Sequence, residues 1–190
     1  MIKYFEDYNP IELIRGVGNN NTGNVDLFGK GLYLTNDMRV AKFYGDKILR
    51  YSVVGDLFDT TKMFTPKELK HFCSSLDKEF NCSLGKRFLK ETIDYNEGTI
   101  PDNIDYIGIS WTLNSWSEFF EILKRKGLDT NQFNSYANTC TGMNKVLMRM
   151  GYVGLKYSTS EIDDLDDKGL GGLDAFLIFD NNSYKKINIS

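Results

Sequence analysis

Residues 28–45 read Phe28-Gly-Lys-Gly-Leu-Tyr-Leu-Thr-Asn-Asp-Met-Arg-Val-Ala-Lys-Phe-Tyr-Gly45, and this segment decides the predicted fold. Leu32 to Thr35 is predicted to form a short apolar strand that carries Tyr33. Asp37 can cap a helix that runs to Tyr44. Two aromatic rings brought together by a strand, a turn and a helix can hold a flat heteroaromatic ring between them. Glycines beside one ring let the backbone come close to it.

Further strands are predicted on both sides of this segment, from apolar or alternating residues bounded by turn residues. A Gly/Asn-rich loop over residues 18–24 follows the first of them, either as a flexible lid or as a long turn. The strands are predicted at residues 11–17, 48–54, 152–157, 175–179 and 184–189.

The middle of the chain is predicted to be helical. Thr65-Pro-Lys-Glu68 is a capping box with proline at the first helical position. Ser115-Trp-Ser-Glu118 is predicted to open a second helix, and a third is predicted near Tyr136 to Met150 with Gly151 as its stop. The sequence therefore predicts an α+β fold in a single domain over residues 1–190, with a helical insertion over roughly 60–150.

Composition excludes several classes of protein. Of the 190 residues 41% are hydrophobic, which fits one domain with a real core. No apolar run approaches the roughly 20 residues needed to span a bilayer, and the first residues lack the pattern of a signal peptide. We therefore expect a cytoplasmic protein without a membrane partner.

Cysteine usage and net charge narrow the candidate ligands. Cys73, Cys82 and Cys140 are odd in number and widely spaced, which favours buried reduced thiols over disulfides or a zinc site, and no metal is expected. The net charge of −3 opposes broad, sequence-independent binding to nucleic acid, although a local basic patch is compatible with it.

Several of these residues together resemble the ADP-ribosyltransferase superfamily, in particular its poly(ADP-ribose) polymerase-like branch. The matching residues are Gly29-Lys-Gly-Leu-Tyr-Leu34 with Tyr44 after a helix, and the chain end with Gly151-Tyr-Val-Gly-Leu and Phe176-Leu-Ile-Phe-Asp180. The resemblance implies a split β-sandwich around an NAD cleft, with NAD as substrate. It implies that Tyr33 and Tyr44 sandwich the nicotinamide and that Gly31 lies beside it.

The resemblance also implies roles for residues outside this segment. Arg15-Gly16 on the first strand is similar to the toxin-type branch, in which the arginine holds the pyrophosphate side of NAD, and an arginine suits phosphate. The family glutamate is expected at the position of Ala175, so Asp174 is the nearest acid. In a second alignment, Tyr157-Ser-Thr-Ser-Glu161 resembles the Ser-Thr-Ser element of the toxin branch and moves the acid to Glu161 or Asp163. We rank that alignment lower, because Gly151 to Tyr157 is better explained as the strand before the acidic loop, which makes Ser158–Ser160 a turn.

Each candidate residue also has a plain structural interpretation. Strand and helix tyrosines are usually core residues, Arg15 could be a surface ion-pair residue, and Asp174 follows a glycine turn in which an aspartate is ordinary. The acidic run from Glu161 to Asp167 fits a solvated loop and, in second place, a loop that faces substrate.

The predicted catalytic residues are accordingly Arg15, Tyr33, Asp174 and Glu161, and the predicted NAD-binding residues are Arg15, Gly16, Gly31, Tyr33 and Tyr44. The predicted function is mono-ADP-ribosylation of a macromolecule, with a protein acceptor favoured over a nucleic acid. Two alternatives stay open: an NAD glycohydrolase toxin, and an inactive protein that binds NAD or ADP-ribose. Length and layout are compatible with a bacterial or phage effector, including a resemblance to an anti-CRISPR ADP-ribosyltransferase.

Overall fold

The computed structural model describes residues 9–18, 27–101, 103–128 and 135–187. The chain divides into two compact units. The described part of unit 1 comprises residues 9–18, 31–59 and 152–187, and that of unit 2 comprises residues 27–30 and most of 60–151. The predicted α+β class is confirmed, since the described residues hold a mixed β-sheet and seven α-helices.

All strands of the described residues lie in unit 1 and form one sheet. They are β1 (Ile11–Val17), β2 (Leu32–Thr35), β3 (Lys47–Val53), β4 (Asp56–Asp59), β5 (Tyr152–Ser158), β6 (Asp174–Ile178) and β7 (Tyr184–Ile187). Their order across the sheet is β4-β5-β6-β2-β1-β3-β7, in which β4 and β5 are parallel and the other neighbours antiparallel.

The helices are divided between the units. Unit 1 contains the short α1 and α7, and unit 2 contains the other five. The helices are α1 (Met38–Tyr44), α2 (Pro66–Phe80), α3 (Leu84–Tyr95), α4 (Tyr106–Asn114), α5 (Ser117–Arg125), α6 (Ser135–Arg149) and α7 (Asp163–Asp166).

The sheet is nearly interrupted between β1 and β2. β1 pairs with β3 along its whole length, from Ile11 to Val17, but it pairs with β2 at the single position where Ile14 stands opposite Thr35. A four-stranded half and a three-stranded half are therefore joined at one residue pair, within strands that the structure describes completely. The split sandwich that the resemblance implies stays a prediction.

One face of the sheet carries the apolar cluster of unit 1. Because side chains alternate along a strand, this face takes every second residue of the paired strands. The buried members of the cluster are Leu13, Leu34, Tyr51, Val53, Phe176 and Ile178. The opposite face of β1 is covered by α1, whose backbone reaches Gly16.

Unit 2 is held by apolar residues at helical spacing. Helix α6 packs against α2, α4 and α5, and α2 begins with the predicted capping box: Thr65 accepts from the backbone of Glu68, and the Glu68 carboxylate accepts from the Thr65 N–H at 2.8 Å. The most buried side chains of unit 2 include Leu69, Phe72, Tyr106, Phe119, Met143 and Leu147.

The predicted start of the second helix is wrong. Ser115 does not open α5; its backbone N–H donates to the carbonyls of Trp111 and Thr112, so it closes α4. Helix α5 starts two residues later, at Ser117, without a side-chain cap at Trp116. A tight connection between α4 and α5 therefore lies where the sequence predicted the start of a helix.

The cysteines are free thiols. Cys73 and Cys140 are buried, as predicted, and burial raises the pKa of each thiol to about 12. Cys82 is half-buried. The two buried thiols therefore stay protonated and unreactive at neutral pH.

Candidate functional site

The candidate site lies on the face of the sheet that carries Tyr33. Cross-strand register sets Thr35, Ala175 and Tyr157 side by side on β2, β6 and β5. Tyr33, two residues from Thr35, lies on the same face. The rings of Tyr33 and Tyr157 meet edge to face with their centroids 6.4 Å apart. Tyr157 is 3% exposed, so it forms a fixed wall beside the half-buried Tyr33.

Tyr44 is placed by close packing of α1 on β1. A Cβ at Gly16 would overlap the carbonyl oxygen of Ala41, and a Cβ at Gly45 would overlap the backbone at the end of β1. The backbone of Gly45 is extended, so the close approach requires glycine there, not a left-handed conformation. The two glycines therefore fix the end of α1, with Tyr44, against the first strand.

Asp37 begins the helix that carries Tyr44. Its carboxylate accepts from the Arg39 backbone N–H at 2.8 Å and from the Arg39 guanidinium at 2.7 Å. The pKa of Asp37 is lowered from 3.8 to about 2, and the largest cause is the hydrogen bond from the Arg39 side chain. An ionised N-cap stabilises the start of a helix.

We expect Asp37→Ala to lower the free energy of unfolding by about 1 kcal/mol near neutral pH, because the cap is lost. A depressed carboxyl pKa stabilises the fold above the unfolded value and loses that contribution as pH falls through the folded value. The gap between wild type and variant should therefore shrink between pH 4 and pH 2. Urea unfolding followed by circular dichroism measures the gap; Asp46→Ala, at an exposed aspartate after α1, is the control. A gap that is independent of pH would contradict the role assigned to the Asp37 charge.

Tyr44 forms the open side of the site. It is 38% exposed, and its ring meets Phe43 edge to face at 5.2 Å. Partial burial and then the negative charge of Asp164 raise the pKa of Tyr44. Burial and then the nearby Tyr44 phenol raise the pKa of Tyr157. The Tyr44 phenol is thus within electrostatic reach of both Tyr157 and Asp164, and we call Tyr33, Tyr44 and Tyr157 the tyrosine cluster.

Gly16 and Arg15 lie on opposite faces of β1. Gly16 shares the face of Ile14, which is paired with Thr35, and therefore lies on the side of the tyrosine cluster. Arg15, half-buried, lies on the face of the apolar cluster and stands opposite Leu49 of β3. The structure brings Gly16 to the predicted site and does not bring Arg15 to the same face.

Asp174 also lies on the face away from the tyrosine cluster. Its carboxylate forms an ion pair with Lys156 at 2.9 Å, and this bond, foremost, raises the pKa of the Lys156 ammonium. Thr35, on the cluster face, donates only to the Asp174 backbone carbonyl, at 2.9 Å. Ala175, the next residue, points to the tyrosines. The structure therefore does not place the Asp174 carboxylate at the predicted pocket.

The connection between β5 and β6 is an ordered, acidic loop. Buried Thr159 closes it, because its hydroxyl donates to the Leu170 carbonyl at 2.6 Å and accepts from the Leu173 N–H at 2.9 Å. Ser158 caps the short 3₁₀ turn Thr159–Glu161, which confirms the predicted turn. Glu161 is exposed on this turn.

Gly29 and Gly31 each lie where the backbone packs too closely on a neighbouring residue to leave room for a side chain. Gly29 has φ +90°, and a Cβ there would meet the Thr141 backbone within unit 2. A Cβ at Gly31 would press on the Leu177 side chain and the Ile178 carbonyl within unit 1. Gly31 thereby lets the start of β2 lie directly on β6, two residues before Tyr33.

Two residues of the site were not singled out from the sequence. The alternation of residues along β5 in the sequence places Tyr157 on a defined face of its strand. Only the pairing of β5 with β6 shows that Tyr33 lies on the same face of the sheet. Asp164 belongs to the recognised acidic run, and no local signal separates it from its neighbours. The Gly/Asn-rich loop over residues 18–24 lies almost wholly outside the described residues.

The described parts of the chain contain neither a cluster of metal ligands nor a helix able to span a membrane. No group of three or more His, Cys, Asp or Glu side chains in these parts could hold a metal ion. None of the described helices combines the length and the apolar character that a membrane span needs.

No protein-family model matches the chain, and no curated protein matches it. Among solved structures, it is similar to a crystal structure of an anti-CRISPR protein, with 11% sequence identity and a TM-score of 0.38. The similarity covers 94% of this chain and 96% of that chain. The geometry of the tyrosine cluster is therefore the basis for assigning a function.

Proposed function

We propose that this protein is an ADP-ribosyltransferase that takes NAD as substrate and holds the nicotinamide ring between Tyr33 and Tyr44. One observation carries the proposal: a strand tyrosine and a helix-end tyrosine, 11 positions apart in the sequence, lie on one face of the sheet. There the Tyr33 ring contacts the Tyr157 ring, and the charge of the Tyr44 phenol is felt by Tyr157. This face also carries Gly16, beside the single pair that joins β1 to β2.

The cluster suits a charged aromatic ring. Tyr33 is backed by the buried Tyr157, whereas Tyr44 is partly open, so one wall is rigid and the other accessible. The nicotinamide of NAD carries a positive charge, and the faces of tyrosine rings attract cations and stack on flat rings. The charge of Asp164 near Tyr44 adds to this attraction.

In the proposed reaction the bond between nicotinamide and the ribose C1′ breaks, and its electron pair leaves with the nicotinamide. The ribose becomes oxocarbenium-like, a nucleophile of the acceptor bonds to C1′, and the proton of that nucleophile passes to a carboxylate or to solvent. We assign the carboxylate to the β5–β6 loop, with Asp164 ahead of Glu161, because the charge of Asp164 reaches Tyr44. Asp174 is ranked last, since Lys156 holds its carboxylate on the other face.

Gly16 and Arg15 complete the proposed NAD site. Gly16 lies on the cluster face, beyond the last pair between β1 and β2, and we assign its backbone to the nicotinamide carboxamide. Because Arg15 lies on the opposite face of β1, its side chain would have to reach around the edge of this strand to contact the NAD phosphates. A protein remains the proposed acceptor, in keeping with the net charge of −3, and a bacterial or phage effector in the cytoplasm remains the proposed setting.

An inactive NAD-binding protein is the second candidate. It is favoured by one specific observation: the residue of β6 that points at the tyrosines is Ala175, and the neighbouring acid is paired with Lys156. NAD hydrolysis is the third outcome, in which water takes the place of the acceptor. All three share the same NAD pocket and differ in turnover and acceptor.

The test is to incubate the purified protein with labelled NAD, with and without cell lysate, and to measure nicotinamide release and labelled macromolecules. We expect release with transfer of label to protein, and a loss of about 100-fold in rate for Asp164→Asn. Asp167→Asn, at an exposed aspartate just after the same short helix, is the matched control and should retain the wild-type rate. Release without label on any macromolecule would identify a hydrolase. Tight NAD binding without release would identify an inactive binder, and absence of NAD binding would overturn the proposal.

A further inference from the structure

Tyr157 belongs to the tyrosine cluster but not to the pair of rings that the proposed function uses. It is 3% exposed and contacts the Tyr33 ring edge to face at 6.4 Å. The apolar cluster of unit 1, with Leu13, Leu34 and Phe176, lies on the opposite face of the sheet. The burial of Tyr157 is thus separate from the packing of that cluster.

Tyr157 reaches Tyr33 across an intervening strand. β6 lies between β5 and β2, and neighbouring strands are about 4.8 Å apart, so the two tyrosines stand on backbones roughly 10 Å from one another. Ala175 of β6 stands opposite Tyr157, and its methyl group leaves room for the ring to lean over it. Ala175 is itself 3% exposed, because the larger neighbours cover it.

The Tyr157 phenol lies within electrostatic reach of the Tyr44 phenol. Burial and the neighbouring Tyr44 phenol raise the pKa of Tyr157, which therefore stays neutral and protonated across the physiological range. A neutral, buried ring in contact with Tyr33 can hold the Tyr33 ring in one orientation, and so fix one side of the proposed slot for the nicotinamide between Tyr33 and Tyr44. Aromatic pairs in edge-to-face contact hold their relative orientation more strongly than aliphatic contacts of equal area.

We propose that Tyr157 is a positioning residue for NAD, which orients the Tyr33 ring and so sets the width of the slot for a single pyridine ring. The inference rests on the proposed function, since it concerns the same NAD pocket. Tyr157 acts through Tyr33 and takes no part in bond breaking. Loss of its ring should therefore weaken ground-state and transition-state binding of NAD alike and leave the turnover of bound NAD largely unchanged.

The experiment compares Tyr157→Leu, which removes the ring, with Tyr157→Phe, which keeps it. NAD affinity is measured by calorimetry, and KM and kcat for nicotinamide release are measured on the full chain. We expect Tyr157→Leu to raise Kd and KM about tenfold with a small change in kcat, and Tyr157→Phe to restore wild-type values. The matched control is Tyr184→Leu, which breaks the comparable edge-to-face pair of Tyr51 and Tyr184, 6.0 Å apart, elsewhere in unit 1.

Each outcome of this experiment supports or overturns the positioning role of Tyr157. Wild-type affinity in Tyr157→Leu, or an equal loss in Tyr184→Leu, would overturn the positioning role while leaving the proposed function intact. If the wild-type protein binds no NAD, the proposed function fails and the inference with it. If Tyr157→Leu does not fold, Tyr157→Met replaces it. If neither folds, Tyr157 is a structural core residue and the inference is wrong.

Discussion

Tyr33→Ala and Tyr44→Ala are each expected to weaken NAD binding by about 10- to 100-fold, because stacking on one aromatic ring typically contributes about 1–3 kcal/mol. Removal of Tyr33 deletes the half-buried wall that Tyr157 supports, and removal of Tyr44 deletes the open wall on α1. Combined in one chain, the two substitutions should leave no measurable binding. Isothermal calorimetry with NAD gives the affinities.

The matched control is Tyr95→Ala, at a tyrosine that is 89% exposed at the end of α3. It should bind NAD as the wild type does. Circular dichroism and urea unfolding establish that all variants are folded before affinities are compared. If Tyr33→Ala and Tyr44→Ala bound NAD as tightly as Tyr95→Ala, the two tyrosines would be ordinary packing residues, and the ring-holding slot would be wrong.

Gly16→Ala is expected to destabilise the protein by about 3 kcal/mol, at the upper end of overpacking effects. The added Cβ would overlap the Ala41 carbonyl oxygen, and backbone on both sides leaves no flexible group that could yield. Relief requires α1 to move away from β1, which would also displace Tyr44. Urea unfolding measures the stability, and NAD calorimetry under folding conditions measures the coupled loss of affinity.

Gly108→Ala serves as the control for this substitution. Gly108 lies inside α4, and the nearest atom to an added Cβ is the Asp105 side chain at 3.1 Å. Alanine favours helix over glycine by about 1 kcal/mol, so this variant should be as stable as the wild type or more so. Wild-type stability in Gly16→Ala would show that α1 does not pack on β1 as closely as described.

The parts of the fold that follow from the sequence are those with local signals. Thr65-Pro66 and Glu68 define the start of α2 because each cap contact lies within one turn of the helix. Asp37 and Gly45 bound α1 for the same reason, and β1, β2 and β6 appear where the apolar pattern predicts them, within a residue.

The missed elements depend on contacts with residues outside the element itself. Helix α3 has no cap hydrogen bond from Ser83; the Asp77 carboxylate accepts from the backbone of Gly85 and Lys86 instead, at 2.7 and 2.9 Å. A cap supplied from the preceding helix leaves no motif at the start of α3. The four-residue β4 is a strand because it pairs with β5, nearly a hundred residues later.

The same distinction between local signals and contacts outside the element applies to the residues of the candidate site. Tyr33 and Tyr44 could be predicted because one strand-turn-helix segment carries both. Asp174 shows the limit of prediction from the sequence. A shift of one position along β6 moves a side chain to the other face of the sheet, where the Asp174 carboxylate contacts Lys156. Tyr157 and Asp164 enter the site only through the pairing and the loop geometry of β5 and β6.

The most direct test of the central claim is saturation-transfer difference NMR of NAD with the wild-type protein. Magnetisation passes from protein protons to the ligand protons that lie closest to them. If the tyrosine cluster holds the nicotinamide, the nicotinamide ring protons will show the strongest saturation, and Tyr33→Ala will remove it. Strongest saturation of the adenine protons, or none of the nicotinamide protons, would contradict the account.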